Sequence, residues 1–224
     1  MTADSEWHGD CRRLEVAMPV DTIMECIHGR RSVRRFRPEP PEREKLETLL
    51  EAARWAPSNH NRQAWKFLVV EDRRTIDSMA AAVEGRLDSM LAASSTPSRY
   101  ADELRENSTL FKRAPVVIVA LHREPTAFSL AFMAEIERGW LISGELVSSA
   151  MAVQNMLLAA HAAGLGACVL TGPLVAEDEI RRLLDIPGAY NLTCLVAVGY
   201  PSENPAAPRR KSIGQIAEFP GGIR

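Results

Sequence analysis

The sequence predicts an α+β fold, a mixed sheet of roughly four strands covered by roughly five or six helices. Three observations predict it. Stretches with apolar residues at i, i+3, i+4 and i+7 alternate with short, continuously apolar runs, which separates helices from strands. One run, residues 192–199 (LTCLVAVG), is apolar throughout, as a strand buried on both faces is. The 224 residues are 46% hydrophobic, enough to bury a full core in one compact domain with extensions.

Taken in order, Val20, Ile23, Met24 and Ile27 set a first helix, and Gly29 stands where a C-terminal cap belongs. The basic stretch from Arg30 to Arg37 then leaves as a loop or short edge segment, followed by Pro38, Pro40 and Pro41. Leu46, Leu49, Leu50 and Ala53 mark a second helix that ends before Pro57. Residues 65–70 (WKFLVV) read as a strand, and Ile76, Met79, Ala80, Val83 and Leu87 as a third helix. Residues 92–109, rich in Ser, Thr and charge, read as the most loop-like internal segment and a candidate mobile lid. A buried strand covers 115–121 (PVVIVAL).

Leu146, Ala150, Val153, Leu157 and Ala160 share one face of a long helix. Ala152, Met156, Leu158 and Ala159 fill much of the rest, so this helix is expected to be buried nearly all round. A strand at 165–170, a short helix at 177–184 closed by Ile186-Pro187-Gly188, and a central strand at 192–199 complete the core. Residues 1–18 mix acidic and basic side chains without an apolar run and are expected to be a flexible N-terminal segment. Residues 19–200 form the domain, and 201–224 a Pro- and Gly-rich arm with little core of its own.

The composition narrows the function classes. A formal charge of -2 gives no general attraction to nucleic acid or to an acidic membrane. The apolar stretch 150–170 is broken by Gln154, Asn155, His161 and two glycines, so it reads as a buried helix and strand, not a membrane span. Cys11, Cys26, Cys168 and Cys194 form no CxxC pair and fit no zinc spacing, so they read as free thiols in a reducing, cytoplasmic setting. No metal site, paired-carboxylate site, Walker loop, GxSxG or HExxH is evident, and Gly164-Leu165-Gly166 precedes a strand, the wrong context for a dinucleotide fingerprint.

Four segments carry the chemistry. Arg30, Arg31, Ser32 and Arg34 offer guanidinium forks and a hydroxyl that match phosphate oxygens, though a solvated basic turn has the same composition. Pro57-Ser58-Asn59-His60-Asn61-Arg62-Gln63 links a helix to a strand. Its amides suit a heterocycle edge of alternating donors and acceptors, and an ordinary turn uses the same residues. Leu170-Thr171-Gly172-Pro173 could set backbone N–H groups against a flat ligand, or be a tight connection only. Arg209, Arg210 and Lys211 are a second basic cluster or exposed tail charge. His161, near the end of the buried helix, reads as structural, and His60 has no evident nucleophile or carboxylate partner.

In order, these segments resemble the nitroreductase family of FMN-dependent oxidoreductases. Arg30–Phe36 is similar to the family's RRSxRxF, and Ala56–Trp65 to its APSxxNxQPWxF, with Ala64 in place of the Pro. Ala152–Pro173 is similar to AxQNxxLAAHxxGLGxxxxxGP, and Arg210–Ile216 to the closing RKPLxxI, with Ser212 in place of the Pro. The resemblance covers about residues 20–217 and implies an α+β sandwich acting as an intertwined homodimer with two interfacial FMN sites. By position, Arg30, Arg31, Ser32 and Arg34 would hold the FMN phosphate, ribityl and pyrimidine edge. Pro57, Ser58 and Asn59 would come from the partner subunit, with Asn61 and Gln63 close by. Leu170, Thr171 and Gly172 would face the isoalloxazine, the Thr171 N–H at N5, and one of Arg209, Arg210 or Lys211 would close on the phosphate.

The resemblance further implies a ping-pong transfer of hydride from NAD(P)H through FMN to a nitroaromatic, a quinone or a related small acceptor. No side chain would be a catalytic nucleophile, because the cofactor carries the chemistry. Two subfamilies do other work. One fragments reduced FMN with oxygen and looks to use an Asp in an RRDVR motif, where this chain has Ser32. The other removes iodide from iodotyrosines with a lid Glu, Tyr and Lys. Tyr100 and Lys112 lie in that region here, but Thr96 stands where the Glu is expected. A non-catalytic FMN-storage protein is a third alternative.

Overall fold

The computed structural model describes residues 20–94, 98–123 and 144–220, so the expected flexible segment 1–18, with Cys11, and Thr96 lie outside the described residues. Ten elements follow in chain order. They are α1 (Val20–Gly29), α2 (Arg43–Arg54), β1 (Trp65–Val70), α3 (Arg73–Ala92), α4 (Ser98–Thr109), β2 (Val116–Arg123), α5 (Gly144–Ala162), β3 (Gly166–Leu170), α6 (Glu177–Leu183) and β4 (Tyr190–Gly199). The α+β expectation holds.

The four strands lie in the order β1-β2-β4-β3, and every neighbouring pair is antiparallel. A mixed sheet was the expectation, and connectivity explains the difference. Two helices, α3 and α4, lie between β1 and β2 but return the chain to the end where β1 finishes, with Val70 opposite Val117, and α6 likewise turns β3 back onto β4. Among the described residues, parallel pairing is confined to the isolated bridge between Ser32 and Ala167. β4, between β2 and β3, is buried from Leu192 to Gly199, which is why its sequence is apolar on both faces.

The sheet separates two cores. Val117, Val119, Leu121, Cys168 and Leu195 face Ile76, Met79, Val83 and Leu87 of α3 and Ile180 of α6. Val116, Ile118, Val196 and Val198 face Leu46 and Leu49 of α2 and Val153, Met156 and Leu157 of α5. No described helix is long and apolar enough to cross a membrane.

Two expectations need correction. Residues 98–109 are helix α4, not a loop. Their polar side chains look outward and pair: Arg105 reaches Asp88 at 2.8 Å and Asp102 at 3.2 Å, and Arg113 reaches Glu106 at 2.9 Å. Among the described side chains of this helix, only Ala101, Ser108 and Thr109 are buried, so the apolar repeat that marks a helix is missing. Helix α5 is not buried all round either. Val147, Ala150, Gln154 and His161, at spacings of three, four and seven, leave one exposed stripe along it.

Candidate functional site

The arginine segment is built as an extra edge beside β3. The Val33 N–H donates to Ala167 O at 3.1 Å, Arg37 N–H to Tyr200 O at 2.8 Å, and Ser202 N–H to Arg35 O at 3.0 Å. Gly166 permits this approach, because a Cβ there would stand 2.7 Å from Val33 Cγ1. Val33 is buried, and in extended backbone its neighbours Ser32 and Arg34 face the other way. Arg30 and Arg34 lie near Cys168: burial pushes that thiol's pKa up, and these two charges pull it partway back. Among the described residues no carboxylate pairs with either guanidinium, while Arg34 Nη1 donates to Ser32 O at 3.2 Å.

Arg31 does something else. Its Nη1 donates to the carbonyls of His28, Gly29 and Arg30 at 2.5, 3.1 and 3.0 Å, so it caps the C-terminus of α1. The four-residue cluster therefore divides: Arg30, Ser32 and Arg34 stand together, and Arg31 closes a helix. Glu203 is a residue that sequence reasoning missed. Its Oε1 accepts the backbone N–H groups of Arg34 at 2.5 Å and Arg35 at 3.1 Å, two successive donors that β3 leaves unmatched. The only sequence signal is an acid just past a strand end, and that does not reveal its partners.

The loop after α2 is held at the opposite end of α5. Asn59 N–H donates to Ser148 Oγ at 3.0 Å, and a Cβ on Gly144 would stand 2.8 Å from Asn59 Nδ2. Within the loop, Gln63 N–H donates to Ser58 Oγ at 3.0 Å and Gln63 Nε2 to Asn61 Oδ1 at 3.2 Å. His60, Asn61 and Gln63 have φ of 49°, 50° and 46°, the left-handed region that costs a non-glycine residue free energy. Pro57, Asn59, Asn61 and Gln63 are exposed, and Ser58 is half-buried.

At the end of β3, Leu170 is buried in the core, Thr171 is exposed, and Gly172 is half-buried. What Gly172 admits is Ser108 of α4, whose Oγ would lie 2.4 Å from an added Cβ. An approach by a flat ligand is therefore left to the backbone around Thr171. Arg209, Arg210 and Lys211 lie fully on the surface in an arm whose one regular turn is Ile213–Gln215, boxed by Ser212 and Gln215. Within one chain the structure does not bring them into hydrogen bonds or ion pairs with the other described site residues. His161 packs its Nε2 2.5 Å from where a Gly29 Cβ would stand, a contact that joins α1 to the last turn of α5. Among the described residues no three His, Cys, Asp or Glu side chains gather as a metal site.

Known proteins give this arrangement a family. The nitroreductase family model matches residues 27–200. The chain is 30% identical over 204 residues to an iodotyrosine deiodinase of Thermotoga neapolitana, which spans 85% of this chain and 95% of that one. It is 29% identical over 211 residues to an NADH dehydrogenase of Thermus thermophilus, spanning 91% and 98%. Among solved structures, a BluB-like flavoprotein from Clostridium difficile superposes with a TM-score of 0.77 at 25% identity, over 88% of this chain and 98% of that one. A nitroreductase with bound FMN from Desulfitobacterium hafniense superposes with a TM-score of 0.68 at 26% identity, over 88% and 97%. With its matched span running from the end of α1 to the end of β4, the chain belongs to the nitroreductase family.

Proposed function

We propose that this protein is an FMN-dependent oxidoreductase that takes electrons from NAD(P)H and delivers them to a nitroaromatic, a quinone or a related small acceptor. The observation that carries the reading is the placement of its two ligand-facing clusters. The arginine edge leaves α1 where His161 of α5 packs on Gly29, and the amide loop sits on Gly144 and Ser148. Thirteen helical steps separate Ser148 from His161, about 20 Å along the axis. Two copies packed through the exposed stripe of α5, with the helices antiparallel, would set the loop of one beside the arginines of the other. A homodimer with two interfacial sites is the arrangement that joins them.

The residues fit FMN. Among the described residues Arg30 and Arg34 pair with no carboxylate, and they would meet the phosphate and the pyrimidine edge, with Ser32 between them. Arg34 would place its charge beside N1 and the C2 carbonyl, where negative charge gathers on reduction. The exposed Thr171 would offer its backbone N–H at N5. Ser58, Asn59, Asn61 and Gln63 of the second copy would meet the ring system, and the arm carrying Arg209, Arg210 and Lys211 would close on the phosphate. Bound FMN supplies two-electron chemistry, accepting hydride at N5 and releasing electrons to a second substrate in a ping-pong cycle. A reducing, cytoplasmic setting suits the free thiols Cys26, Cys168 and Cys194.

The test is to purify the protein, record its visible spectrum, and add NADPH or NADH without oxygen. Bleaching of the oxidised flavin bands, followed by recovery on adding a quinone or nitroaromatic, is the expected result. A protein that takes up no FMN would overturn the reading, and one that stays yellow with reductant would be a storage protein. The Thermotoga relative favours a second reading, reductive dehalogenation. In this chain Lys112 pairs with Glu84 at 2.6 Å, and Tyr100 accepts from Arg99 at 2.7 Å. Iodide release from iodotyrosine by the reduced protein decides between the two.

A further inference from the structure

We infer that Arg62 and Glu145 are a positioning pair that fixes the amide loop in the shape the flavin site needs. The inference rests on the FMN reading above. Arg62 Nη1 donates to Glu145 Oε1 at 2.5 Å, and Glu145 is only 4% exposed in the first turn of α5. A carboxylate that deep needs a partner, and among the described residues its ion pair is with Arg62. The pair spans 83 positions in sequence and ties the loop to a helix, not to a neighbouring loop residue.

The loop has a reason to need it. Three of its residues, His60, Asn61 and Gln63, hold left-handed backbone without being glycine. Such a conformation persists where the surroundings over-determine it. Arg62 stands between two of the three, so its anchor fixes the peptide planes on both sides. Two further contacts converge on the same turn of α5: Ser148 Oγ accepting from Asn59 N–H, and the bare α-carbon of Gly144 under the Asn59 side chain. Arg62, Gly144, Glu145 and Ser148 are not among the residues assigned to touch flavin. Arg62 thus lies between Asn61 and Gln63 in sequence yet serves the interior, while its two neighbours stay exposed.

The consequence concerns affinity and orientation more than folding. Without the anchor the loop is free to leave its left-handed turns, and Ser58, Asn59 and Asn61 lose their fixed positions. Each neutral hydrogen bond lost at a binding site costs about fivefold, so three lost together cost about 100-fold.

The experiment is FMN titration of the apoprotein, read by flavin fluorescence and by visible circular dichroism of the bound flavin. It compares wild type with Arg62→Met, Arg62→Lys and Glu145→Gln, each below its own melting temperature and at matched oligomeric state. Arg62→Met is expected to weaken FMN about 100-fold, as the loss of three neutral hydrogen bonds would, and to change the flavin dichroism. Arg62→Lys, which keeps a single charged donor for a single acceptor, is expected to recover most of both. Glu145→Gln keeps the volume and one acceptor oxygen and is expected to cost about tenfold. Wild-type affinity and dichroism in a folded Arg62→Met protein would overturn the inference while leaving the FMN reading intact. If Arg62→Met does not fold, unchanged FMN binding by Glu145→Gln overturns it equally. If wild type itself takes up no FMN, the reading beneath it falls, and this inference with it.

Discussion

Replacing Gly166 with alanine is the sharpest test of how the arginine edge is seated. A Cβ at that position would lie 2.7 Å from Val33 Cγ1, 2.8 Å from Val33 Cβ and 3.0 Å from Val33 Cγ2. Ordinary carbon contacts are about 3.5–4.0 Å, so the two strands must part by about 1 Å. Val33 cannot swing aside, because it is buried and its N–H is bonded to Ala167. Overpacking of this kind costs about 2 kcal/mol, or about 4–8 °C in melting temperature for a chain of this size. The larger effect is on binding. Arg30, Ser32 and Arg34 ride on the displaced segment, and loosening two guanidinium contacts at about 1.5 kcal/mol each is expected to weaken FMN about 100-fold. Thermal melts and flavin titration measure the two effects separately. Adding Val33→Ala removes both Cγ contacts but leaves the Cβ, so the double variant should regain only part of the affinity. A Gly166→Ala protein with wild-type melting and wild-type FMN affinity would refute this account of the edge.

Three shorter predictions follow from the same geometry. Arg30→Ala should sharply weaken FMN, whereas Arg31→Ala should lower the melting temperature with little change in FMN affinity, because Arg31 caps α1; equal losses of affinity would contradict that division. Glu203→Ala should cost about 1.5 kcal/mol, the low end for bonds to a charged group at a half-exposed position, and speed hydrogen exchange at the Arg34 and Arg35 amides; unchanged exchange there would remove Glu203 from the seat. Burial pushes the Cys194 thiol up to about 12, from 9.0. The folded thiol keeps its proton where the unfolded one loses it, so this contribution to stability is complete below pH 9 and is lost as pH rises toward 12. The loss is about 1.4 kcal/mol per pH unit. Denaturation curves for Cys194→Ala should be flatter than wild type over that interval by up to that slope, and parallel curves would show that Cys194 is not protected.

The sequence made some of this legible and hid the rest for physical reasons. Every strand of the sheet could be read, because VVIVAL and LTCLVAVG have no polar alternative to burial. Helix α4 could not, since it buries few apolar side chains, and pairs such as Arg105 with Asp88 join residues far apart in sequence. The exposed stripe of α5 was hidden by its composition, for Val147 and Ala150 look like core until the fold shows what covers them. At the candidate site, residue types pointed to segments but not to the contacts each residue makes. Arg30 and Arg31 are identical as letters, and only the turn out of α1 sends one to an edge and the other to the carbonyls of His28 and Gly29. Glu203, Glu145 and Ser148 were missed because a side chain that seats another segment has no periodicity of its own.

The stripe on α5 also makes the dimer reading testable with a single atom change. Val147 and His161 bound it, and the midpoint of those two positions is Gln154, also exposed. If two copies pair antiparallel over the whole stripe, the symmetry axis passes by Gln154, and each copy presents that residue to itself. Gln154→Glu leaves the volume and the isolated chain almost unchanged but sets two carboxylates face to face. At about 5 Å and an effective dielectric of about 20, their repulsion is about 3 kcal/mol. Dimer dissociation should therefore strengthen by about 100-fold at neutral pH and return toward wild type as the carboxylates take up protons in acid. Analytical ultracentrifugation across pH measures this, with FMN retention followed in parallel. In the proposed dimer the two should fall together, because the loop and the arginines of one site would belong to different chains. A variant that dissociates yet holds FMN as tightly as wild type would refute the shared site. A variant whose dimer is unchanged at every pH would move the axis away from Gln154.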